Sequence, residues 1–168
     1  MITVIILATI KIRNKMMKKF TILASMLFLF LAVASAQIDN PVKWIYSAKK
    51  LSDKVYELHI TANIDGNWHI YAQDAGKGPE PTSFSFITNP LVKLDGKVRE
   101  SGQLEKSYDP NFNSTLRYYS KQVDFIQKVK LRSTANTLVK GTVTFMVCND
   151  KKCLPPKEVP FSIKVEGK

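Results

Sequence analysis

The chain has 168 residues, enough for one ordinary domain and too few for two comfortable ones. Its 25 Lys plus Arg against 14 Asp plus Glu give a formal net charge of +11. These charges are scattered rather than gathered into a basic stripe with interleaved aromatics, so the footprint of a nucleic-acid binder is missing. Paired carboxylates, a Ser/His/Asp set and a phosphate-cradling Gly loop are also missing, and no hydrolase or nucleotide-binding reading stands on the residues.

Met17-Lys18-Lys19 opens a short basic stretch, the apolar run Phe20 to Val33 follows, and Ala34-Ser35-Ala36 closes it. That order is the layout of a cleavable secretory signal, with small residues just before the cut. The run is shorter than the roughly 20 apolar residues of a membrane-spanning helix. Residues 1–36 are therefore expected to be a signal peptide cut after Ala36, and residues 37–168 a single exported, periplasmic-type domain. Residues 1–15 read either as a second apolar piece or as an extension from too early a start codon, the second being favoured because Met16 or Met17 begins a well-formed signal unaided. Five of the basic residues and none of the acidic ones precede the cut, so the mature net charge is +6.

Beyond the cut, period-2 alternation dominates. Val42–Lys50 is a weak strand candidate. Tyr56, Leu58, Ile60, Ala62 and Ile64 alternate with Glu57, His59, Thr61 and Asn63, the pattern of a half-buried strand. Weaker candidates follow at Asn67–Ala72, Thr82–Thr88, Leu91–Arg99 and Tyr118–Leu131. Val139, Val143, Phe145 and Val147 then share one face against Lys140, Thr142, Thr144 and Met146. Val159, Phe161, Ile163 and Val165 alternate in the same way. Turn signals separate these runs: Asp65-Gly66-Asn67, Gly76-Lys77-Gly78-Pro79, Asn89-Pro90, Asp95-Gly96, Asp109-Pro110-Asn111 and Pro155-Pro156. Many short strands with no helical period between them indicate an all-β antiparallel sandwich.

The two cysteines, Cys148 and Cys153, flank the polar turn Asn149-Asp150-Lys151-Lys152. An even cysteine count in an oxidising compartment favours a disulfide, and the segment reads as a hairpin with a Cys on each arm near its tip. As a structural staple, so small a loop contributes roughly 2 kcal/mol. As a redox site, strand parity sets Cys148 opposite the apolar face, and Lys151 and Lys152 favour a thiolate while Asp150 opposes them. From the residues alone, the two readings stand side by side.

The run Val147-Cys148-Asn149-Asp150-Lys151-Lys152-Cys153-Leu154-Pro155-Pro156, followed by Val159-Pro160-Phe161, resembles the active-site hairpin of the amino-terminal periplasmic domain of the thiol:disulfide interchange protein DsbD. Gly66-Asn67-Trp68-His69-Ile70-Tyr71 is similar to that family's early Trp-His-x-Tyr segment. Tyr108-Asp109-Pro110-Asn111-Phe112-Asn113, with Tyr118-Tyr119 after it, is similar to its cap-loop region. The resemblance implies an immunoglobulin-like sandwich, a redox pair at Cys148 and Cys153, and a cap residue, Phe112, flanked by Asp109 and Tyr108, that shields the disulfide. It implies no cofactor. It implies electron exchange with a thioredoxin-like domain or a membrane electron-carrier protein and with exported disulfide proteins, the membrane being met only through such a partner. Here four residues separate the cysteines, slightly fewer than in well-known members. Full-length members continue into a membrane domain and a thioredoxin-like domain, so a stand-alone module would take its electrons from a separate protein. The competing expectation is a non-catalytic immunoglobulin-like binding or assembly module with a structural disulfide.

His59 and His69 are the two histidines of the sequence. Either is a candidate to join Met146, Cys148 and Cys153 around a soft metal, but the ligand spacing is loose and oxidised cysteines cannot coordinate, so no metal is expected. Trp68 and Tyr71 read as core or sheet-edge aromatics. Asn113-Ser114-Thr115 matches a glycosylation sequon, a triplet that arises often by chance and whose glycan would block docking beside Phe112.

Overall fold

The computed structural model describes residues 40–110 and 112–167; the expected signal segment and its cut after Ala36 lie outside the described residues. Nine strands follow in order: β1 Val42–Ser52, β2 Val55–Ile64, β3 His69–Tyr71, β4 Ser83–Phe86, β5 Val92–Asp109, β6 Ser114–Leu131, β7 Thr137–Phe145, β8 Val147–Cys148 and β9 Lys157–Val165. They form two antiparallel sheets, one in the order β1-β2-β6-β3-β8 with β5 also paired to β6, the other β4-β7-β9. The architecture is an immunoglobulin-like sandwich. Among the described residues no helix is long and apolar enough to cross a membrane.

Alternation explains which face each strand buries. On β2, Tyr56, Leu58, Ile60, Ala62 and Ile64 point inward; on β6, Val123, Phe125 and Val129 do; from the other sheet Val139, Val143, Phe145, Phe161, Ile163 and Val165 meet them in one cluster. Phe125 centres it, its ring 5.0 Å from Phe84 and 6.1 Å from Trp44. Gly141 takes the inward position between Val139 and Val143 for a steric reason: a Cβ there would lie 2.4 Å from the Ser85 carbonyl and 2.5 Å from the Phe161 ring. Each fully buried aliphatic or Phe side chain contributes about 1.5–3 kcal/mol, so the sandwich has a substantial core of its own.

Two sequence expectations change. The run Leu91–Arg99 extends to Asp109, because β5 and β6 form one long hairpin with register breaks between Asp95 and Arg99 and between Gly102 and Leu104. Asp95-Gly96 is therefore an irregularity inside β5 rather than a turn between strands. Gly96 has φ +76°, and the buried Gln127 side chain donates to the Asp95 and Gly96 carbonyls at 3.4 and 3.3 Å. A glycine absorbs the left-handed backbone that such a bulge requires.

β5 occupies one edge of β6, so β2 and β3 share the other end to end: β2 pairs with residues 122–130 and β3 with residues 118–120. Lys121, at φ +66°, marks the change of partner. This arrangement carries the short β3, and β8 beyond it, to one end of the sandwich beside the tip of the β5–β6 hairpin.

Candidate functional site

The apolar alternation that runs through Val139, Val143, Phe145 and Val147 does not belong to one strand. β7 ends at Phe145 within the three-stranded sheet; after Met146 the chain crosses over, and β8 pairs with β3 in the other sheet. Parity survives the crossing: Val147 points into the main core and Cys148 to the opposite face, as the sequence reads, but that face is covered as well, and the two residues are only 5% and 2% exposed. Cys148 packs with Tyr71, Ala75 and Leu116 in a second, smaller apolar cluster against which Tyr118 and Met146 rest.

Past Cys148 the chain turns tightly. The Asn149 N–H donates to the Lys152 carbonyl and the Leu154 N–H to the Val147 carbonyl, both at 2.9 Å. The Asn149 side-chain oxygen accepts from the N–H groups of Lys151 and Lys152, each at 2.9 Å, an Asx-type arrangement that stabilises the turn locally. Cys148 and Cys153 thus oppose each other as an antiparallel bridge, with Cα atoms 4.0 Å apart and a disulfide between them. Lys152 Nζ lies 5.7 Å from the Trp68 ring centroid, a cation–π contact tying the turn to the segment before β3. Cys153 is exposed, whereas Cys148 is closed off by the strand and the cluster beneath it. The hairpin with a Cys on each arm is as the sequence indicated, except that β9 starts at Lys157, beyond Pro155-Pro156.

The disulfide lines a cleft of about 600 Å³. Across it stands the tip of the β5–β6 hairpin, with Tyr108, Asp109 and Phe112 on the same cleft. Tyr108 Oη donates to the Asn113 side-chain oxygen at 2.6 Å. Phe112 is 43% exposed, and its ring lies against Gly78, where a Cβ would sit 2.2 Å from a ring carbon. Gly78 has φ +130°, so glycine there permits both the backbone and the close aromatic contact. The Lys77 N–H donates to Ser114 Oγ at 3.0 Å, fixing the 76–79 loop beneath the tip.

The wall between tip and disulfide is aromatic: His69, Tyr71 and Tyr118. The His69 ring is 4.5 Å from Tyr118 and meets Tyr71 edge-on at 5.4 Å. Burial pushes the His69 pKa down, against the opposing pull of Asp150 and Glu105. Burial pushes Tyr71 and Tyr118 up, Tyr71 further by Asp109 and Tyr118 further by Glu105 and Asp150. At neutral pH this wall is therefore uncharged and the tyrosines keep their hydroxyl protons.

All five sequence-selected residues, Cys148, Cys153, Phe112, Asp109 and Tyr108, meet on this cleft. His59 is elsewhere, its Nδ1 2.6 Å from Asp124 Oδ2. Among the described residues, no group of three or more His, Cys, Asp and Glu side chains is arranged to hold a metal ion. Sequence reasoning joined His69 to Cys148 only as loose candidate ligands of a metal, and missed Leu116 and Tyr118 as neighbours of Cys148. His69 reaches it through a strand pairing across 79 positions, and no local pattern announces such a contact.

A sequence family described as "Thiol:disulfide interchange protein DsbD, N-terminal" matches residues 40–164. Among solved structures, the chain is similar to the N-terminal periplasmic domain of ScsB from Proteus mirabilis, with a TM-score of 0.55 and 13% identity over 79% of this chain. It spans only 49% of that ScsB chain. The N-terminal domain of Neisseria meningitidis DsbD in the reduced form follows, with a TM-score of 0.49, 15% identity, and coverage of 73% of this chain and 86% of that one. No curated protein matches the chain.

Proposed function

Because the chain belongs to the family of DsbD amino-terminal domains, we propose that it is an exported thiol–disulfide interchange module working through Cys148 and Cys153. The observation that carries this reading is the asymmetry of the pair: one disulfide has a buried sulfur partner, Cys148, and an exposed one, Cys153, at the edge of an open cleft. In thiol–disulfide exchange one sulfur is attacked and forms the mixed disulfide while the other leaves and later resolves it. The exposure of Cys153 and the burial of Cys148 support attack at Cys153 and resolution by Cys148. Pro155 and Pro156 donate no ladder hydrogen bonds, which keeps the chain beyond Cys153 open to a docking partner.

The partners are thioredoxin-like domains and a membrane electron carrier on one side and exported disulfide proteins on the other; family membership supports this. Phe112, with Tyr108 and Asp109 beside it, shields the disulfide until a partner displaces the tip. The basic-apolar-small layout of residues 17–36 supports export and cleavage after Ala36.

The test is trapping. Cys148→Ala leaves Cys153 free and is expected to accumulate a mixed disulfide with a thioredoxin-like protein of the same compartment, seen as a thiol-reversible band on non-reducing gels. Cys153→Ala is expected to trap far less. Equal trapping by both variants overturns the division of roles, and trapping by neither returns the pair to a structural staple.

A further inference from the structure

Resolution of a mixed disulfide needs a proton to leave Cys148, and the fold sets an imidazole beside it. The β3–β8 register makes His69 the direct partner of Cys148. Directly opposed residues of an antiparallel pair project to the same face, with Cβ atoms about 4.5–5.5 Å apart. Both residues line the same cleft, and the two tyrosine contacts hold the imidazole in place. Once reduced, Cys148 is a thiol set among Tyr71, Ala75 and Leu116. Apolar burial favours the neutral thiol, and a neutral thiol is not the nucleophile.

Resting on the reading of Cys148 as the resolving sulfur, we propose that His69 is the proton acceptor that activates Cys148. As Cys148 Sγ attacks the Cys153 sulfur of a mixed disulfide, its proton passes to the His69 ring. The Cys148–Cys153 bond forms, the bond from Cys153 to the partner breaks, and the electron pair leaves on the partner's sulfur as a thiolate. In this step the Cys148 sulfur is oxidised and the partner's sulfur reduced; counted with formation of the mixed disulfide, the cysteine pair gives two electrons to the partner's disulfide. In the reverse direction a partner thiolate attacks Cys153, and the protonated ring returns the proton to the departing Cys148 sulfur.

The groups around the imidazole suit an acceptor at neutral pH. Tyr71 faces it from its own strand, Tyr118 from β6, Glu105 from β5 and Asp150 from the turn after β8. Asp109, Lys151 and Lys152 complete the charged rim of the cleft. Burial keeps the ring below the ordinary histidine range of about 6.5, so above that pH it is unprotonated and able to accept.

The experiment uses the reduced protein and dithiobis(nitrobenzoate) in a stopped flow. Cys153 captures the first half of the reagent and releases one thionitrobenzoate; attack by Cys148 releases the second, and the rate of that second phase is followed from about pH 5.5 to 9. The native protein is expected to show a plateau above about pH 7. His69→Gln and His69→Phe are expected to be at least about tenfold slower at pH 7, to gain about tenfold per pH unit, and to approach the native rate only near pH 9. Variant profiles that run parallel to the native one, lowered equally at every pH, overturn the proposal and leave His69 a packing residue. Should neither variant fold, a native rate that itself climbs tenfold per unit through pH 6–8 overturns it as well. The redox reading fails on a different result, trapping by neither single-cysteine variant, so the two failures are separable.

Discussion

The two sulfurs of one bond live in different surroundings, and residue-scale chemistry follows from that. Cys148 is 2% exposed, while Cys153 stands at the surface of the turn, so a small thiol in solution has one sulfur within reach. Phe112 is the large apolar side chain across the cleft from that sulfur, anchored on Gly78 rather than in the main core. Truncating it removes bulk from the mouth of the cleft and little from the sandwich. Phe112→Ala is therefore expected to speed reduction of the disulfide by dithiothreitol several-fold, with a loss of stability below about 1.5 kcal/mol, well short of the 3–5 kcal/mol typical of a core Phe. Thiol-release kinetics and denaturant unfolding measure the two quantities. An unchanged rate with a loss of several kcal/mol would make Phe112 a packing residue.

At the scale of elements, alternation told most of the story where strands are regular. The inward faces of β2 and β9 appear in the structure as they read in the sequence, since a half-buried strand has no other way to hide apolar side chains. The Cys hairpin was legible for the same local reason: four polar residues between two cysteines make a turn. The unread parts depend on distant partners. Met146 gives no sign that the chain leaves one sheet for the other, and Asp95-Gly96 looks like a hairpin turn until the buried Gln127 side chain is seen to occupy the bulge. Between these extremes lies Asn149, whose side chain accepts from two backbone N–H groups inside the cysteine loop. Asn149→Ala removes an acceptor worth about 1 kcal/mol from the closed turn. A looser turn brings the thiols together less readily, so the disulfide is expected to become easier to reduce, its potential rising by about 20 mV. Equilibration with glutathione buffers reads the shift. An unchanged potential alongside a lower melting temperature would show that the turn and the bond are energetically independent.

For the whole molecule, the question is whether the sandwich depends on its disulfide. The main cluster joins both sheets around Phe125 and does not include Cys148, which belongs to the smaller group with Tyr71, Ala75 and Leu116. The bond spans a sequence separation of only 5, and closing so short a loop removes little freedom from the unfolded chain, about 2 kcal/mol. A domain of this size buries enough apolar surface to fold without such a link. A module that exchanges electrons must also remain folded in both oxidation states, since its reduced form is the one that meets an oxidised partner. The reduced protein is thus expected to keep its β-sheet circular dichroism at 25 °C and to unfold cooperatively. Its melting temperature should lie roughly 5–10 °C below that of the oxidised form, the shift that about 2 kcal/mol produces in a domain of this length. Thermal unfolding with and without excess dithiothreitol, at matched protein concentration, makes the comparison. A reduced protein already unfolded at 25 °C would show that the bond holds the fold together, and the pair would then be a staple before it is anything else.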